Sequence, residues 1–279
     1  VLYSVVDRIY LGRLPGHLAL TGLGLTLPII SIVMGFANLC GTGGAPLCSI
    51  YRGKGEEEEA ERIMGNAFTL LLIFGAAVTG VFLLFRHPLL YLFGASDATY
   101  PYAEAYMTIY LLGTVFVMIG LGMNPFITSQ GFGRTGMMTV GLGAVVNIVL
   151  DPVFIFALDM GVRGAALATV LSQVASCAFV LLFLFHRNTP VRITFGGYSF
   201  AIMKRILTVG FTPFLIIAID NVMIIAMNAV LQRYAPAGQG DSFITCATIV
   251  QSFMLIITMP LGGISGGTQS ILAYNYGAG

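Results

Sequence analysis

The feature that most constrains the fold is a series of long apolar stretches separated by short polar ones. The stretches cover, roughly, residues 1–12, 19–48, 64–85, 104–129, 136–158, 163–186, 204–232 and 243–273. A helix crosses a bilayer core of about 30 Å with about 20 apolar residues, and every stretch except the first is long enough. In lipid each backbone polar group must be paired internally, which a continuous helix achieves. The sequence therefore predicts an all-α, polytopic transmembrane helix bundle.

Composition agrees with a protein whose main partner is the lipid bilayer. Hydrophobic residues make up 57% of the chain and charged residues 9%, whereas soluble domains carry about 25% charged residues. The net charge of +1 gives no electrostatic basis for binding nucleic acid. The four cysteines show no metal-binding or redox spacing and are interpreted as small packing residues. They are Cys40, Cys48, Cys177 and Cys246.

The charges of the connections predict the orientation. If the 51–63 connection is cytoplasmic, the cytoplasmic set holds eight Lys and Arg residues and the external set holds four. The positive-inside rule favours that arrangement. We therefore expect the 130–135 and 187–203 connections to be cytoplasmic as well, and the 86–101 and 233–242 connections to be external.

An internal repeat indicates two lobes. The stretch SVVDRIY around Asp7 is echoed by IAIDNVM around Asp220, and GTGGAPLCSIYRGKG is echoed by GISGGTQSILAYNYGAG. Repeats of this kind are typical of transporter folds. We predict a six-helix first lobe at 1–186, an inter-lobe cytoplasmic linker at 187–203, and two helices of a second, repeated lobe at 204–279.

Both ends of the sequence predict that the chain is part of a longer protein. Only six residues precede Asp7, and at 1.5 Å each they rise about 9 Å, less than half a bilayer core. The last residues, YNYGAG, resemble IYRGKG, which in the first half leads into another helix. We expect the first helix to be truncated, the second lobe to be incomplete and its helix pair poorly covered, and the chain by itself to be unable to transport.

Three carboxylates fall inside apolar stretches: Asp7, Asp151 and Asp220. A charge at the membrane centre costs at least about 2.5–3.5 kcal/mol, so such residues face a cavity or a partner. The functional interpretation is a cation site. The structural alternative is a carboxyl group held by hydrogen bonds across helices.

Of these segments, NIVLDPVFIF, residues 147–156, contains the most candidate oxygen ligands for a cation. Asn147 and Asp151 are four apart and therefore share one helix face, and Pro152 frees the carbonyl of Ile148 from its helical hydrogen bond. Such oxygen ligands suit a proton or a hard cation such as Na⁺. In the alternative interpretation Asn147 joins two helices and Pro152 is an ordinary kink.

The next segment, GVRGAALATVLSQ, places Gly164, Ala168 and Ser172 four residues apart, which predicts a face for close helix packing. Two interpretations of Thr169 remain open. Its hydroxyl bonds to a carbonyl of its own helix, or it adds a ligand to the Asp151 site.

No enzyme emerges from the sequence. The motif GQGD at 238–241 resembles that of intramembrane aspartyl proteases, but it lies in a polar loop and the chain has no Tyr-Asp partner motif. Such a protease needs two facing aspartates. We therefore expect a protein without catalytic residues.

Five stretches resemble the multidrug and toxic compound extrusion (MATE) family of transporters. They are LYSVVDRIYLGRL, GTGGAPLCSIYRGKGEEEEAERIMGNA, SQGFGRTGMM, NIVLDPVFIFALDMGVRGAALATVLSQ and SILAYNYGAG. The resemblance implies twelve helices in two lobes, alternating access, and antiport of H⁺ or Na⁺ against amphipathic, often cationic compounds. This chain would hold about the first eight helices.

The resemblance also implies where the coupling cation binds. Motif by motif, its ligands would be Asp7, Asn147, Asp151 and Thr169, with Asp220 in the equivalent place of the second lobe. No other cofactor is expected. We expect an integral protein of the plasma (inner) membrane that is monomeric at full length. The alternative function is a flippase of lipid-linked oligosaccharide or polysaccharide in the same superfamily, which would line its cavity with Arg or Lys.

Overall fold

The computed structural model describes residues 10, 18–93, 95–186, 189–234 and 240–279. These residues form helices joined by short connections, and no strand occurs among them. The helices are α1 (Leu18–Gly53), α2 (Glu57–Leu84), α3 (Arg86–Leu92), α4 (Tyr100–Ser129), α5 (Gly133–Pro152), α6 (Gly161–Leu184), α7 (Phe200–Tyr234) and α8 (Gly240–Ala278). The predicted all-α class is confirmed.

Six described helical segments are long and apolar enough to cross a membrane. They are Leu25–Gly53, Glu57–Leu84, Tyr100–Ser129, Gly133–Ala157, Gly161–Leu184 and Phe200–Asp220. Each coincides with one of the predicted apolar stretches. The eighth stretch, 243–273, lies within α8, whereas the first, 1–12, lies outside the described residues except for Tyr10.

Helices α1 and α4 form the centre of the bundle. Helix α1 packs against α2, α4, α7 and α8, and α4 packs against α1, α2 and α6. Their own contact uses glycines, because a Cβ on Gly41 would lie 2.7 Å from the carbonyl oxygen of Gly122. Around this contact Leu71, Met123 and Phe126 are fully buried. Small residues let helix backbones approach closely in lipid, where no hydrophobic force drives helices together.

Helices α7 and α8 join the bundle mainly through α1. A Cβ on Gly210 would overlap the carbonyl oxygen of Leu39, and one on Gly43 would overlap that of Ile206. Nearer the ends of α1 and α8, a Cβ on Gly53 would overlap the carbonyl oxygen of Tyr274. We call these backbone crossings, Gly43 with Gly210 and Gly53 with the last turn of α8, the seam.

Contacts of α7 with the bundle are concentrated at one end of that helix. Arg205 Nη1 donates to the hydroxyl of Tyr51 at 2.8 Å, and Phe214 packs on Phe36 with ring centroids 5.6 Å apart. Further along α7 the described side chains are largely exposed, as Ile219 illustrates at 60%. The predicted poor covering of this helix pair is therefore observed among the described side chains.

The three connections predicted to be cytoplasmic lie at the same end of the bundle. The backbone N–H of Val191 donates to Gln130 Oε1 at 3.1 Å, and that of Ser199 donates to Asn66 Oδ1 at 3.0 Å. These bonds tie the 187–203 connection to the ends of α2 and α4. The common location agrees with the charge-based orientation, whereas the predicted lobe boundaries stay a prediction.

The orientation can be tested by thiol labelling in intact cells. In a background lacking the native cysteines, Asp97→Cys should react with a membrane-impermeant maleimide and Lys54→Cys should not, because both positions are exposed but lie in connections of opposite predicted sidedness. A permeant maleimide should label both variants and serves as the control. The reverse pattern would overturn the predicted orientation.

Candidate functional site

Asn147 and Asp151 form a buried pair on α5. Both side chains are 0% exposed, and Asn147 Nδ2 donates to Asp151 Oδ1 at 3.2 Å. The four-residue spacing therefore places the amide and the carboxyl group together, as the sequence predicts. A carboxyl group without contact to water strongly favours a neutralising partner, whether a proton or a cation.

The backbone is irregular directly after this pair. Pro152 is the last residue of α5, and a π-helical turn follows at Val153–Ala157. The irregularity that follows Pro152 is thus a wider helical turn, a feature that occurs frequently at functional sites. A Cβ on Gly164 of α6 would lie 2.6 Å from the carbonyl oxygen of Phe154. Only a glycine lets α6 pack directly against the π-helical turn.

Further buried polar residues continue from the pair along the contact between α5 and α6. Ser176 Oγ donates to the backbone oxygen of Thr139 at 3.0 Å, and Ser172 Oγ donates to that of Thr169 at 2.7 Å. We call this set the polar stripe. Its members are Thr139, Asn147 and Asp151 of α5 with Thr169, Ser172 and Ser176 of α6, all of which are buried.

A cavity of about 240 Å³ lies beside the polar stripe, between α1, α4, α5 and α6. Its polar lining includes Asn38, Asn124, Thr139 and Gln173. Asn124 Nδ2 donates to Thr139 Oγ1 at 2.5 Å, which joins α4 to the stripe. The cavity is large enough for several water molecules and is smaller than most drug-sized sites.

Of the other predicted site residues, the structure describes Thr169 and Asp220 but not Asp7. Asp7 lies outside the described residues. Thr169 is 4% exposed on α6, the helix packed along α5. Asp220 is exposed on α7, six residues beyond Phe214 and on a helix that packs against α1, α2 and α8. The four first-lobe residues therefore stay a predicted set, of which Asn147 and Asp151 are joined by a hydrogen bond.

Within the described ranges, no three His, Cys, Asp or Glu side chains lie close enough together to hold a metal ion. Among the described residues, the further ligands open to a cation at Asp151 are therefore neutral oxygens. Na⁺ accepts hydroxyl, amide and carbonyl oxygens, and a proton needs only the carboxylate. The donor set fits either ion.

Several polar residues of this region were not singled out from the sequence, among them Asn38, Asn124, Thr139, Gln173 and Ser176. One signal was present, because Thr139, Gly143, Asn147 and Asp151 recur every fourth residue and so share a face of α5. Asn38 and Asn124 carry a weaker signal, since each has only one polar residue, Thr42 and Thr128 respectively, four positions further along its helix.

The sequence is similar to a protein-family model and to several multidrug export proteins. A protein-family model described as MatE matches residues 1–153. "Multidrug export protein MepA" of Staphylococcus haemolyticus is 28% identical over 281 aligned positions, covering 99% of this chain and 60% of that protein. The protein of the same name from Staphylococcus aureus is 27% identical with the same coverage. The chain thus spans about 60% of the length of these curated relatives.

Solved structures agree with these relatives. An outward-facing conformation of a multidrug resistance MATE family transporter of the MOP superfamily superposes with a TM-score of 0.92 at 28% identity, covering 99% of this chain and 61% of the other. The MATE multidrug transporter DinF-BH superposes with a TM-score of 0.88 at 33% identity, covering 99% of this chain and 62% of the other. The arrangement of the helices is therefore shared along nearly the whole chain.

Proposed function

Because the chain belongs to the MatE family, we propose that it is part of an integral membrane antiporter that exports amphipathic, often cationic compounds in exchange for H⁺ or Na⁺. The family model covers 153 of the 279 residues. The single observation that carries the coupling proposal is the fully buried Asn147–Asp151 pair. A membrane-buried carboxyl group of this kind is expensive to keep unless it works with a cation.

The coupling cation binds at Asp151 in this proposal, with Asn147 and Thr169 beside it and Asp7 contributed by the first helix. Its arrival neutralises the carboxylate and changes the electrostatics between α5 and α6. Coupling requires that the cation and the exported compound prefer different arrangements of the helices. A differential free energy of about 1–3 kcal/mol is enough for effective exchange.

The packing of α7 and α8 supports movement of one lobe against the other. The described contacts of α7 with α1 come from the first half of α7, and the described side chains beyond them are largely exposed. In this proposal the exposed part of α7 is free to change its contacts as the lobes move. The name of the MepA relatives and the outward-facing state of one structural neighbour support export as the direction.

A flippase of lipid-linked sugars is the weaker alternative. Binding a pyrophosphate inside the membrane would call for Lys or Arg in the cavity wall. The cavity beside the polar stripe is lined by amide, hydroxyl and apolar groups instead. This lining gives no support to the flippase alternative.

The function is tested with the full-length protein in sealed vesicles loaded with ethidium. We expect efflux when an inward gradient of Na⁺ or of H⁺ is imposed, and a return to the leak rate when an ionophore collapses that gradient. Imposing the two gradients separately identifies the coupling ion. Vesicles without protein set the leak rate. Ethidium movement that is independent of both gradients would refute ion-coupled export.

A further inference from the structure

A second cavity, of about 460 Å³, lies at the end of the bundle where α1, the α4–α5 turn and α8 meet. Residues of the first half line one side of it, including Arg52, Gln130 and Gly133. Residues of the second half line the other side, including Ser270 and Tyr274. The cavity therefore lies across the seam, far along α5 from the polar stripe's Asp151.

Arg52 brings a positive charge to this cavity. The side chain is half-buried, donates from Nη1 to the backbone oxygen of Ser129 at 3.1 Å, and lies 5.7 Å from the ring centroid of Tyr274. No carboxylate forms an ion pair with it in the part of the chain that the structure describes. A guanidinium has five N–H donors, so most of them remain for an anionic ligand.

Gln130 belongs to the wall of the same cavity and is 5% exposed. Its Oε1 accepts from the backbone N–H of Val191 at 3.1 Å, which fixes the orientation of the amide. Its Nε2 is buried and has no hydrogen-bond acceptor among the described residues. A buried donor without an acceptor costs free energy, and a small movement of the amide toward the cavity would let a ligand oxygen satisfy it.

The start of α5 contributes further donors. Helix α5 begins at Gly133, which lines the cavity, and its N-cap residue Phe132 makes no side-chain capping hydrogen bond. The first N–H groups of a helix have no partner within the helix, and the helix dipole makes this end attractive to anions. The residues that line the cavity include no Asp or Glu.

We propose that this cavity binds a phosphate group, carried either by the headgroup of an anionic lipid or as free inorganic phosphate. A guanidinium and a helix N-terminus border the same space, the Gln130 amide lies in its wall, and all three groups are typical phosphate donors. The location at a membrane boundary suits both sources. The inference does not depend on drug export or on cation coupling.

Such a ligand would touch both halves of the chain. Arg52 and Gln130 lie on one side of the seam, while Ser270 and Tyr274 lie on the other. A ligand that binds only when these surfaces are together stabilises that arrangement by mass action. The bound phosphate therefore stabilises the contact between the two halves at the seam. The free energy of this stabilisation increases with the phosphate concentration.

Thermal unfolding of the full-length protein tests the proposal in two arms. In detergent, inorganic phosphate is compared with chloride at equal ionic strength. In nanodiscs, phosphatidylglycerol is compared with phosphatidylcholine. We expect a Tm increase of about 2–4 °C in at least one arm. A response to phosphate identifies the free ion, and a response to phosphatidylglycerol alone identifies the lipid.

Matched variants separate this cavity from general surface charge. Arg52→Gln should lose the Tm increase. Lys54→Gln, which removes an exposed positive charge that does not line the cavity, should retain it. Gln130→Glu keeps the acceptor for Val191 but adds a negative charge to the cavity, and should also lose the increase even if Arg52→Gln folds poorly.

Two results would overturn the proposal. One is a wild-type protein whose Tm responds to neither phosphate nor phosphatidylglycerol. The other is an equal response of Arg52→Gln, Gln130→Glu and Lys54→Gln, which would assign the effect to general electrostatics.

Discussion

Replacing Asp151 with Asn is expected to abolish ion-driven drug efflux while leaving the protein folded. Asn has nearly the same size as Asp, and its side-chain oxygen can still accept the hydrogen bond that Asn147 Nδ2 donates at 3.2 Å. What disappears is the carboxylate that, in the proposed mechanism, takes up a proton or Na⁺. The coupling free energy of about 1–3 kcal/mol that cation binding would supply is then lost, so we expect efflux under the gradient to fall to the leak rate.

The measurement is ethidium efflux under the gradient that drives the wild-type protein, together with the Tm of each variant. Asp159→Asn is the matched control. The same chemical change is made eight residues further along, at an exposed position with a φ of 51°, a conformation that Asn tolerates as well as Asp does. Unchanged gradient-driven efflux in Asp151→Asn would exclude this carboxyl group from coupling.

Replacing Gly210 with Val is expected to separate α7 from α1. A Cβ at this position would overlap the carbonyl oxygen of Leu39 and lie 3.3 Å from the Cα of Gly43. Both obstacles are helix backbone, which cannot rotate aside as a side chain does. Overpacking of this kind costs about 1–3 kcal/mol, and because the contact joins the two halves we also expect transport to be lost.

Gly80→Val provides the comparison, because it is the same substitution within a transmembrane helix but has no atom within 4 Å of the added Cβ. Both variants carry the same local penalty for a β-branched residue in a helix. The difference in Tm between them therefore isolates the contact with α1. Equal Tm values and equal efflux for the two variants would show that the close approach of α7 to α1 is dispensable.

The positions of the transmembrane helices could be predicted because hydropathy alone determines where a chain can cross lipid. The stretch predicted at 136–158 corresponds to α5 and its π-helical turn, Gly133–Ala157. Helix α3 was not predicted. It has seven residues, Arg86–Leu92, and lies in a connection, where neither length nor periodicity distinguishes a short helix from a turn.

The candidate site was predictable to the extent that its residues share one helix. A spacing of four puts Asn147 and Asp151 on one face whatever surrounds the helix. The hydrogen bond from Asn124 to Thr139 joins two helices and depends on how far each is rotated about its own axis, which hydropathy does not determine when both are apolar on most sides. The roles of Thr169 and Asp220 depend on the same rotations and stay predictions, and so does that of Asp7, which lies outside the described residues.

The hydrogen bond between Ser199 and Asn66 fixes a point of the backbone about which helix α7 could tilt. We call this point the fulcrum. Helix α7 begins at the next residue and has 35 residues, so at 1.5 Å each it is a lever of about 50 Å. A tilt of about 10° around Ser199 would carry the far end by about 9 Å but would move Gly210, about 15 Å from the fulcrum, by less than about 3 Å. In the proposed alternating-access movement, a displacement small enough for a glycine contact to form and break would thus become an opening of about 9 Å at the far end of α7.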